Sequence, residues 1–341
     1  MNELVFKLVR LLANGEFHSG TALGRALGVS RATVWNAVRA IEHADLQIYK
    51  VRGRGYKLSE PISLLDAKQL MHRVPRASPL RIQIMEIADS TNTVLMQLAA
   101  SGAGNATVVA AEWQQRGRGR MGRTWHAGLG GALTFSMLWR FTQGAGAIAG
   151  LSLAVGVALM RALKSLGADA LKLKWPNDVL SDGRKLAGIL IEMQGDALGP
   201  SAVVIGIGLN VRLSAAMRAR IDQPAVDLET ACGRALDRNE VLVVVLDELV
   251  QVLKAFSSSG FAPLRAEWEQ YHAQQNQRVV LTLPTGKMET GVALGVAEDG
   301  ALLFESGSAV RRLHSGEISL RTDEPGTPRK LSAKSTVKAR A

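Results

Sequence analysis

Only one cysteine, Cys232, occurs in the 341 residues, which excludes an internal disulfide or a multi-cysteine zinc site and fits a reducing cytoplasm. None of His18, His43, His72, His126, His272 and His314 stands in zinc-ligand spacing. The chain has no G-x-x-x-x-G-K-[ST] run to cradle a triphosphate and no G-x-S-x-G turn to present a nucleophilic serine. A P-loop nucleotide site is therefore excluded, and a covalent nucleophile is not expected. The start, MNELVFKLVR, lacks the uninterrupted apolar core of a signal peptide. The one long apolar run, residues 144–160, falls short of the ~20 residues a membrane span needs. Its small residues predict a closely packed core helix continuing towards Leu166. Acid is missing too: none occurs between Trp113 and Ala168, and the whole chain carries a net charge of +11. That balance points to polyanionic partners, nucleic acid or nucleotides.

What is present centres on residues 114–125, Gln-Gln-Arg-Gly-Arg-Gly-Arg-Met-Gly-Arg-Thr-Trp, with four arginines and three glycines. Glycine lets a backbone approach a ligand closely, and consecutive amides in such a turn form an anion-binding concavity. Arginine forks match phosphate and carboxylate oxygens in pairs. Three readings compete: a flexible basic surface loop, a dinucleotide fingerprint, and a loop closing over a small acid and a nucleotide phosphate. Gly117, Gly119 and Gly122 do spell G-x-G-x-x-G after a strand. That fingerprint needs a helix next and an acid about 20 residues on, whereas residues 132–139 read as a strand and the next acid is Asp169. The fingerprint reading fails.

Residues 4–12 read as an amphipathic helix. Residues 19–41 carry a helix–turn–helix pattern, with a turn at Gly28-Val29 and Ser30 as N-cap. Val34, Ala37, Val38 and Ile41 follow core spacing, which leaves Arg31, Thr33, Trp35, Asn36 and Arg39 facing outward, where recognition helices read DNA. Strands at 46–51 and 56–58 flank Arg52-Gly53-Arg54-Gly55, a wing able to touch the DNA backbone. A three-helix bundle for protein contact is the bland alternative; the basic hairpin favours a winged helix over residues 1–62. Pro61 marks a linker, and Ser63 with Asp66 resembles a capping box. Strands are expected at 80–87, 107–112, 132–139, 171–175, 185–192 and 202–211. The pair 171–175 and 185–192 reads as one hairpin with a lysine near its turn, and Gly206 and Gly208 suggest close approach to a ligand. Helices follow at 228–231, 238–256 and 263–272. Short strands at 278–283, 288–296, 301–305, 309–313 and 318–320, separated by turns such as Thr285-Gly286, form a small β module. From Pro325 onward the basic, apolar-poor tail reads as disordered.

In series, the motif Gln114-Gln115-x-Gly-Arg-Gly-Arg-x-Gly-Arg-x-Trp125, then Asp89-Ser90-Thr91-Asn92, Lys174-Trp175-Pro176-Asn177-Asp178, and Arg184-Lys185-Leu186-Ala187-Gly188-Ile189-Leu190 resemble the biotin–protein ligases. The match continues through Gly206-Ile207-Gly208-Leu209-Asn210 to Gly316-Glu317-Ile318-Ser319-Leu320. With the winged helix in front, residues 4–322 resemble the bifunctional ligases that also repress the biotin operon. The resemblance implies an α+β chain. Its parts are a winged helix-turn-helix at 1–62, a mixed α/β ligase domain at 63–272 related to class II synthetase and lipoate ligase catalytic domains, an SH3-like β-barrel at 273–322, and the tail at 323–341.

By the same resemblance, the carboxylate of biotin attacks the α-phosphate of MgATP, and a lysine of biotin carboxyl carrier protein then takes biotin from the adenylate. Ser90, Thr91, Asn92, Gln114 and the Arg118-Gly119-Arg120 backbone are expected to bind biotin. Arg118 and Arg120 hold carboxylate and phosphate, Arg123 neutralises phosphate, and Lys185 bridges the reacting groups. Trp125 and Asn210 are assigned to adenine, Asn177 to the nucleotide, and Asp178 to magnesium or the incoming amine. Read from the residues alone, Ser90 could be a plain N-cap, Lys185 a solvated hairpin lysine, Trp125 a core aromatic and Asp178 a turn-stabilising aspartate. Implied partners are the carrier protein and other biotin-dependent carboxylases, operator DNA, and a second copy of the chain when the adenylate is bound, with 171–175 and 185–192 as the pairing edge. A repressor with little ligase activity and a lipoate ligase are the alternatives.

Overall fold

The computed structural model describes residues 3–42, 46–75, 77–195, 200–283, 287–314 and 319–322. His43, the Thr285-Gly286 turn, Gly316-Glu317-Ile318 and the tail from 323 lie outside these residues.

The N-terminal unit contains α1 (Glu3–Leu12), α2 (Gly20–Leu27), α3 (Arg31–Glu42) and the hairpin β1 (Ile48–Val51) with β2 (Gly55–Leu58). Local chemistry sets these boundaries. Ser19 accepts from the Ala22 amide, Gly28 ends α2 at φ 67°, and Ser30 accepts from the Thr33 amide to open α3. Val34, Ala37, Val38 and Ile41 are buried as their spacing predicts, against Phe6, Leu12, Leu23 and Leu58. At Gly55, φ is 103° and a Cβ would collide with the His18 carbonyl, so the wing turn is restricted to glycine there. This core does not end at the linker. Leu129 belongs to it, and Trp113, Ile62 and Leu64 pack against it. Trp113 and Leu129 bracket the arginine loop on either side, and a chain begun near Pro61 would expose both.

Asp66, rather than a Ser63–Asp66 capping box, caps α4 (Ala67–Arg73), because the Ser63 hydroxyl donates instead to Asp237 at 3.0 Å. The linker is clamped by a fully buried ion pair. Arg238 donates to Glu112 at 2.6 Å and to the Ser63 carbonyl at 2.8 Å, while Glu112 also accepts from the Leu65 amide. Each ion thus has one partner besides the other, which offsets part of the cost of burying the pair, although Arg238 Nε and Nη2 are buried without a hydrogen bond.

The central sheet has seven strands in the order β3-β4-β5-β9-β8-β7-β6. They are β3 (Arg81–Ala88), β4 (Thr107–Gln114), β5 (Ala132–Phe141), β6 (Leu171–Lys174), β7 (Asp178–Ser181), β8 (Arg184–Gly195) and β9 (Ser201–Asn210). Only β3 and β4 pair in parallel, across α5 (Thr91–Ala100). Nine of the ten β5 residues are buried, because the sheet is covered on both faces. Phe135 and Met137 join a core with α6 (Leu151–Ser165) and α9 (Arg238–Ser259), while Leu138 joins Leu95 and Ala99 of α5. The apolar run at 144–160 splits into a 3₁₀ turn, Ala145–Ile148, and α6. No helix among the described residues is long and apolar enough to cross a membrane. Residues 171–175 and 185–192 are not one hairpin: β7 lies between them, and the Asp182-Gly183 turn joins β7 to β8. Three short helices complete this unit, α7 (Ala215–Arg220), α8 (Leu228–Cys232) and α10 (Arg265–Tyr271); α7 has no counterpart in the sequence reading.

The C-terminal unit is an antiparallel sheet of β10 (Gln277–Thr282), β11 (Met288–Val296), β12 (Leu302–Ser306), β13 (Ala309–Leu313) and β14 (Ser319–Thr322), in the order β13-β12-β11-β10-β14. It docks through Gly300, whose carbonyl accepts from the buried Trp175 indole at 3.2 Å. Gly300 packs so closely on Gly150 that a Cβ there would lie 2.7 Å from its Cα.

Candidate active site

Loop 115–125 leaves the end of β4 and is pinned at its base. The Gln115 and Arg116 amides donate to the carbonyls of Ala88 and Asp89, both at 2.9 Å. It then folds on itself, with the Gly119 amide donating to Arg123 at 2.7 Å and the Trp125 amide to Gly117 at 2.9 Å. A side chain at Gly117 would strike the Trp125 carbonyl. At its tip Met121 is exposed and holds φ 56°, an unusual conformation for a residue with a Cβ.

Beneath the loop lies a cavity of about 310 Å³. Ser90, Thr91, Asn92, Gln114, Arg118, Gly119, Arg120, Arg123, Trp125, Asn177 and Lys185 all border it, so residues spread over about 95 positions converge. A second recess next to it shares Arg120, Arg123, Asn177 and Lys185 and adds Asp178. Asn210 is the exception. It is buried outside both linings, and its amide donates to the Val226 carbonyl at 3.2 Å. Its expected place at the adenine edge is not what this geometry offers; it braces the segment behind Lys185.

Lys185 is not a solvated hairpin lysine. Its Nζ lies 2.7 Å from Asp178 Oδ1, with both side chains about seven-eighths buried (13% and 14% exposed). The same Nζ stands 5.8 Å over the Trp125 ring. Its backbone is fixed on both sides, donating to Pro224 and accepting from Val226. Asp178 is thus the partner of Lys185 rather than only a turn residue. Arg120 donates to Asn177 Oδ1 at 3.3 Å, and Asn177 is itself held by donating to the Ile189 carbonyl at 2.8 Å. Burial, and then neighbouring Arg123, loosen the hold of Arg120 on its proton, with Asp178 opposing. A guanidinium keeps its charge under such pressure, so Arg120 is a desolvated cation facing the cavity.

Ser90 stands at the N-cap of α5, yet its side chain makes no capping hydrogen bond. Its buried hydroxyl borders the cavity instead. The Thr91 amide and hydroxyl both donate to Gln114 Oε1, at 2.8 and 3.2 Å. Gly206 and Gly208 do provide close approach, but to side chains of this chain: a Cβ would overlap Asn92 at the first and the Trp125 ring at the second. Gly188 and Gly208 are direct cross-strand partners, and together they form a flat shelf for that indole. Its Nε1 is buried and has no hydrogen-bond partner, an arrangement suited to an added acceptor.

Several residues of the site carried no sequence signal. Arg220, at the end of α7, and Asp222 and Gln223 just beyond it border the cavity. Ser136 hydrogen-bonds Thr91 and Asn92 beneath the floor, and Glu192 holds Arg118 of the loop. Each is an ordinary residue in a stretch without a motif, and its place is visible only once β5, β8 and β9 are adjacent.

The winged helix displays Arg31, Trp35, Asn36, Arg39, Arg52 and Arg54 at the surface. Three of them make intramolecular contacts: Arg39 stacks on Trp35 at 5.0 Å, and Arg54 on Phe17 at 4.2 Å. Thr33 is half-buried, with its hydroxyl 2.9 Å from that of Ser30, so it serves the cap of α3.

Three family descriptions match the chain: an HTH domain at residues 5–57, the Biotin/lipoate A/B protein ligase family at 84–210, and the Biotin protein ligase C terminal domain at 276–321. The bifunctional ligase/repressor BirA of Escherichia coli K12 is 39% identical over 325 residues, spanning 95% of this chain and 99% of that protein. Biotin–[acetyl-CoA-carboxylase] ligase of Paracoccus denitrificans is 34% identical over 67% of this chain and 96% of its own length. The solved structure of biotin protein ligase from Aquifex aeolicus in complex with biotin and ATP overlays with a TM-score of 0.60 at 28% identity, covering 71% of this chain and 99% of that one.

Proposed function

This chain belongs to the biotin protein ligases, in the branch that carries a helix–turn–helix domain in front, and we propose that the cavity under the arginine loop is where biotin and ATP are joined. The chain is an ATP-dependent biotin–protein ligase with a repressor's DNA-binding domain. The observation that carries the site assignment is convergence: one cavity gathers Lys185, Arg118, Arg120, Arg123 and the Trp125 shelf.

The reaction follows from that lining. A carboxylate oxygen of biotin forms a bond to the α-phosphorus of ATP as the bond to pyrophosphate breaks. Fixed cations stabilise the charge that accumulates on the phosphoryl oxygens, and they need no reorganisation when it does. Lys185, oriented by Asp178, stands where carboxylate and α-phosphate meet. Arg118, Arg120 and Arg123 hold the remaining oxygens, with Arg120 steadied by Asn177. Ser90, Thr91, Asn92, Gln114 and the Gly119 backbone take the ureido ring, and adenine stacks on Trp125. Magnesium arrives with ATP as part of the substrate and neutralises phosphate charge; Asp178 and Asp222 border the recess it would enter. In the second half-reaction, the amine of a carrier-protein lysine attacks the acyl carbon. AMP leaves with the electron pair of the broken anhydride bond, and the amine loses a proton. Closure of the loop protects the anhydride from water in between.

The compartment assigned to this activity is the cytoplasm, where ATP, carboxylases and operator DNA are together. In the repressor role, the adenylate-filled cavity favours a homodimer whose two winged helices bind operator half-sites. Of the two segments expected at the pairing edge, 171–175 supplies β6, the outermost strand of the sheet, and 185–192 lies within β8. β7 pairs with β8 only as far as Gly188, so the flank of β8 at 189–195 has no strand beside it among the described residues, and Met193 is exposed there. Mass spectrometry of purified protein with biotin, MgATP and a biotin-acceptor domain tests the enzyme. One biotinyl group should appear on the acceptor lysine, dependent on ATP. Transfer of lipoate but not biotin would instead select the related lipoate-ligase reading.

A further inference from the structure

A chain of side-chain contacts crosses the floor of the cavity and returns to the loop that covers it. It starts at Gln114, which accepts from Thr91. The Thr91 hydroxyl lies 2.7 Å from that of Ser136, and Ser136 is 2.5 Å from Asn92 Oδ1. The amide of Asn92 donates to Glu192 Oε2 at 2.7 Å and to the Leu190 carbonyl at 3.3 Å. Glu192 Oε2 then takes Arg118 Nη2 at 2.6 Å. Thr91, Asn92 and Ser136 are almost wholly buried, so this part is rigid. Arg118 belongs to the glycine-rich loop and is 42% exposed. The circuit therefore anchors a loop cation to a fixed anion.

We infer that Glu192 is a positioning residue for the arginine loop: held by Asn92, it tethers Arg118 so that the loop lies over the bound substrate and its adenylate. The inference rests on the ligase reading above and deepens it. An arginine carries five N–H donors. Glu192 takes one nitrogen, from the side away from the main cavity, since Glu192 borders the outer recess and Arg118 borders both. The rest of the fork stays available for a substrate oxygen. Loss of the tether leaves the reacting groups at Lys185 in place but frees the lid. It should therefore affect retention of biotin and adenylate more than the chemical step.

Glu192→Gln keeps the size of the side chain and an oxygen for Asn92 while removing the charge that holds Arg118. It should raise the KM for biotin about fivefold, the scale of a partly exposed ion pair, with kcat little changed. It should also speed release of preformed adenylate by a similar factor. In an Arg118→Ala background the same substitution should add nothing. A thermal melt of each variant separates this from a folding defect. If Glu192→Gln melts well below wild type, the adenylate-release comparison is repeated with Glu192→Asp, which keeps the charge and should restore part of the retention. Wild-type KM and release rate in Glu192→Gln would overturn the inference, as would an equal loss with and without Arg118, which would show that Glu192 acts only through Asn92. Absence of ligation by the wild-type protein would instead overturn the ligase reading itself.

Discussion

Replacing Lys185 by alanine separates catalysis from stability, because the geometry gives this lysine two partners. Its ammonium neutralises Asp178 at 2.7 Å in a largely buried setting, and it faces the cavity where phosphate charge develops. Removing one preorganised donor of transition-state charge typically costs ~3–4 kcal/mol, or roughly 10²–10³ in kcat. Removing the partner of a buried carboxylate carries its own penalty of up to about 3–5 kcal/mol. Solvent access (14% of Asp178 remains exposed) and nearby Arg120 bring the expected loss nearer the low end. The single variant should therefore melt earlier and release pyrophosphate roughly 10²–10³ times more slowly, while still binding biotin without ATP. Adding Asp178→Asn removes the orphaned charge. The double variant should recover much of the melting temperature and none of the rate. The assays are pyrophosphate release under saturating biotin and MgATP, calorimetric biotin binding, and thermal melts. Pyrophosphate release within a few-fold of wild type in the single variant would refute the reasoning, and so would recovery of rate in the double.

Arg120→Gly should still form adenylate but lose its grip on it, since one desolvated clamp is gone; indiscriminate labelling of lysines on an added bystander protein measures this, and an unlabelled bystander beside a normally labelled carrier counts against it. Gly208→Ala places a methyl group inside the Trp125 ring position, an overpacking of about 1–3 kcal/mol. It should raise the KM for ATP more than that for biotin and alter tryptophan fluorescence, and unchanged nucleotide binding would remove Trp125 from the adenine site. Replacing Arg52 and Arg54 by alanine should weaken binding to all duplexes and make its salt slope shallower by about 0.9 for each phosphate no longer neutralised. Asn36→Ala should instead reduce the preference for operator over random duplex by ~1–3 kcal/mol, and equal losses on both DNAs would make Asn36 a backbone contact.

Features set by neighbouring residues were legible in the chain itself. Ser19, Gly28, Ser30 and Gly55 fix helix ends and a turn through contacts or backbone angles within a few positions, so the helix–turn–helix and its wing could be placed from spacing. The arginine loop could be read as an anion site because its glycines and charges are contiguous. Tertiary structure alone decided the rest, since strand order and register choose partners that sequence distance conceals. It put β7 between the two strands that read as one hairpin. It turned Asn210 away from the cavity to brace Val226, while two residues earlier on the same strand Gly208 gives Trp125 its shelf. It joined Trp113 and Leu129, on either side of the loop, to the core of the DNA-binding unit. And it brought Glu192 to Arg118, 74 positions away, because Asn92 on a helix and Glu192 on a strand meet across one buried face of the sheet.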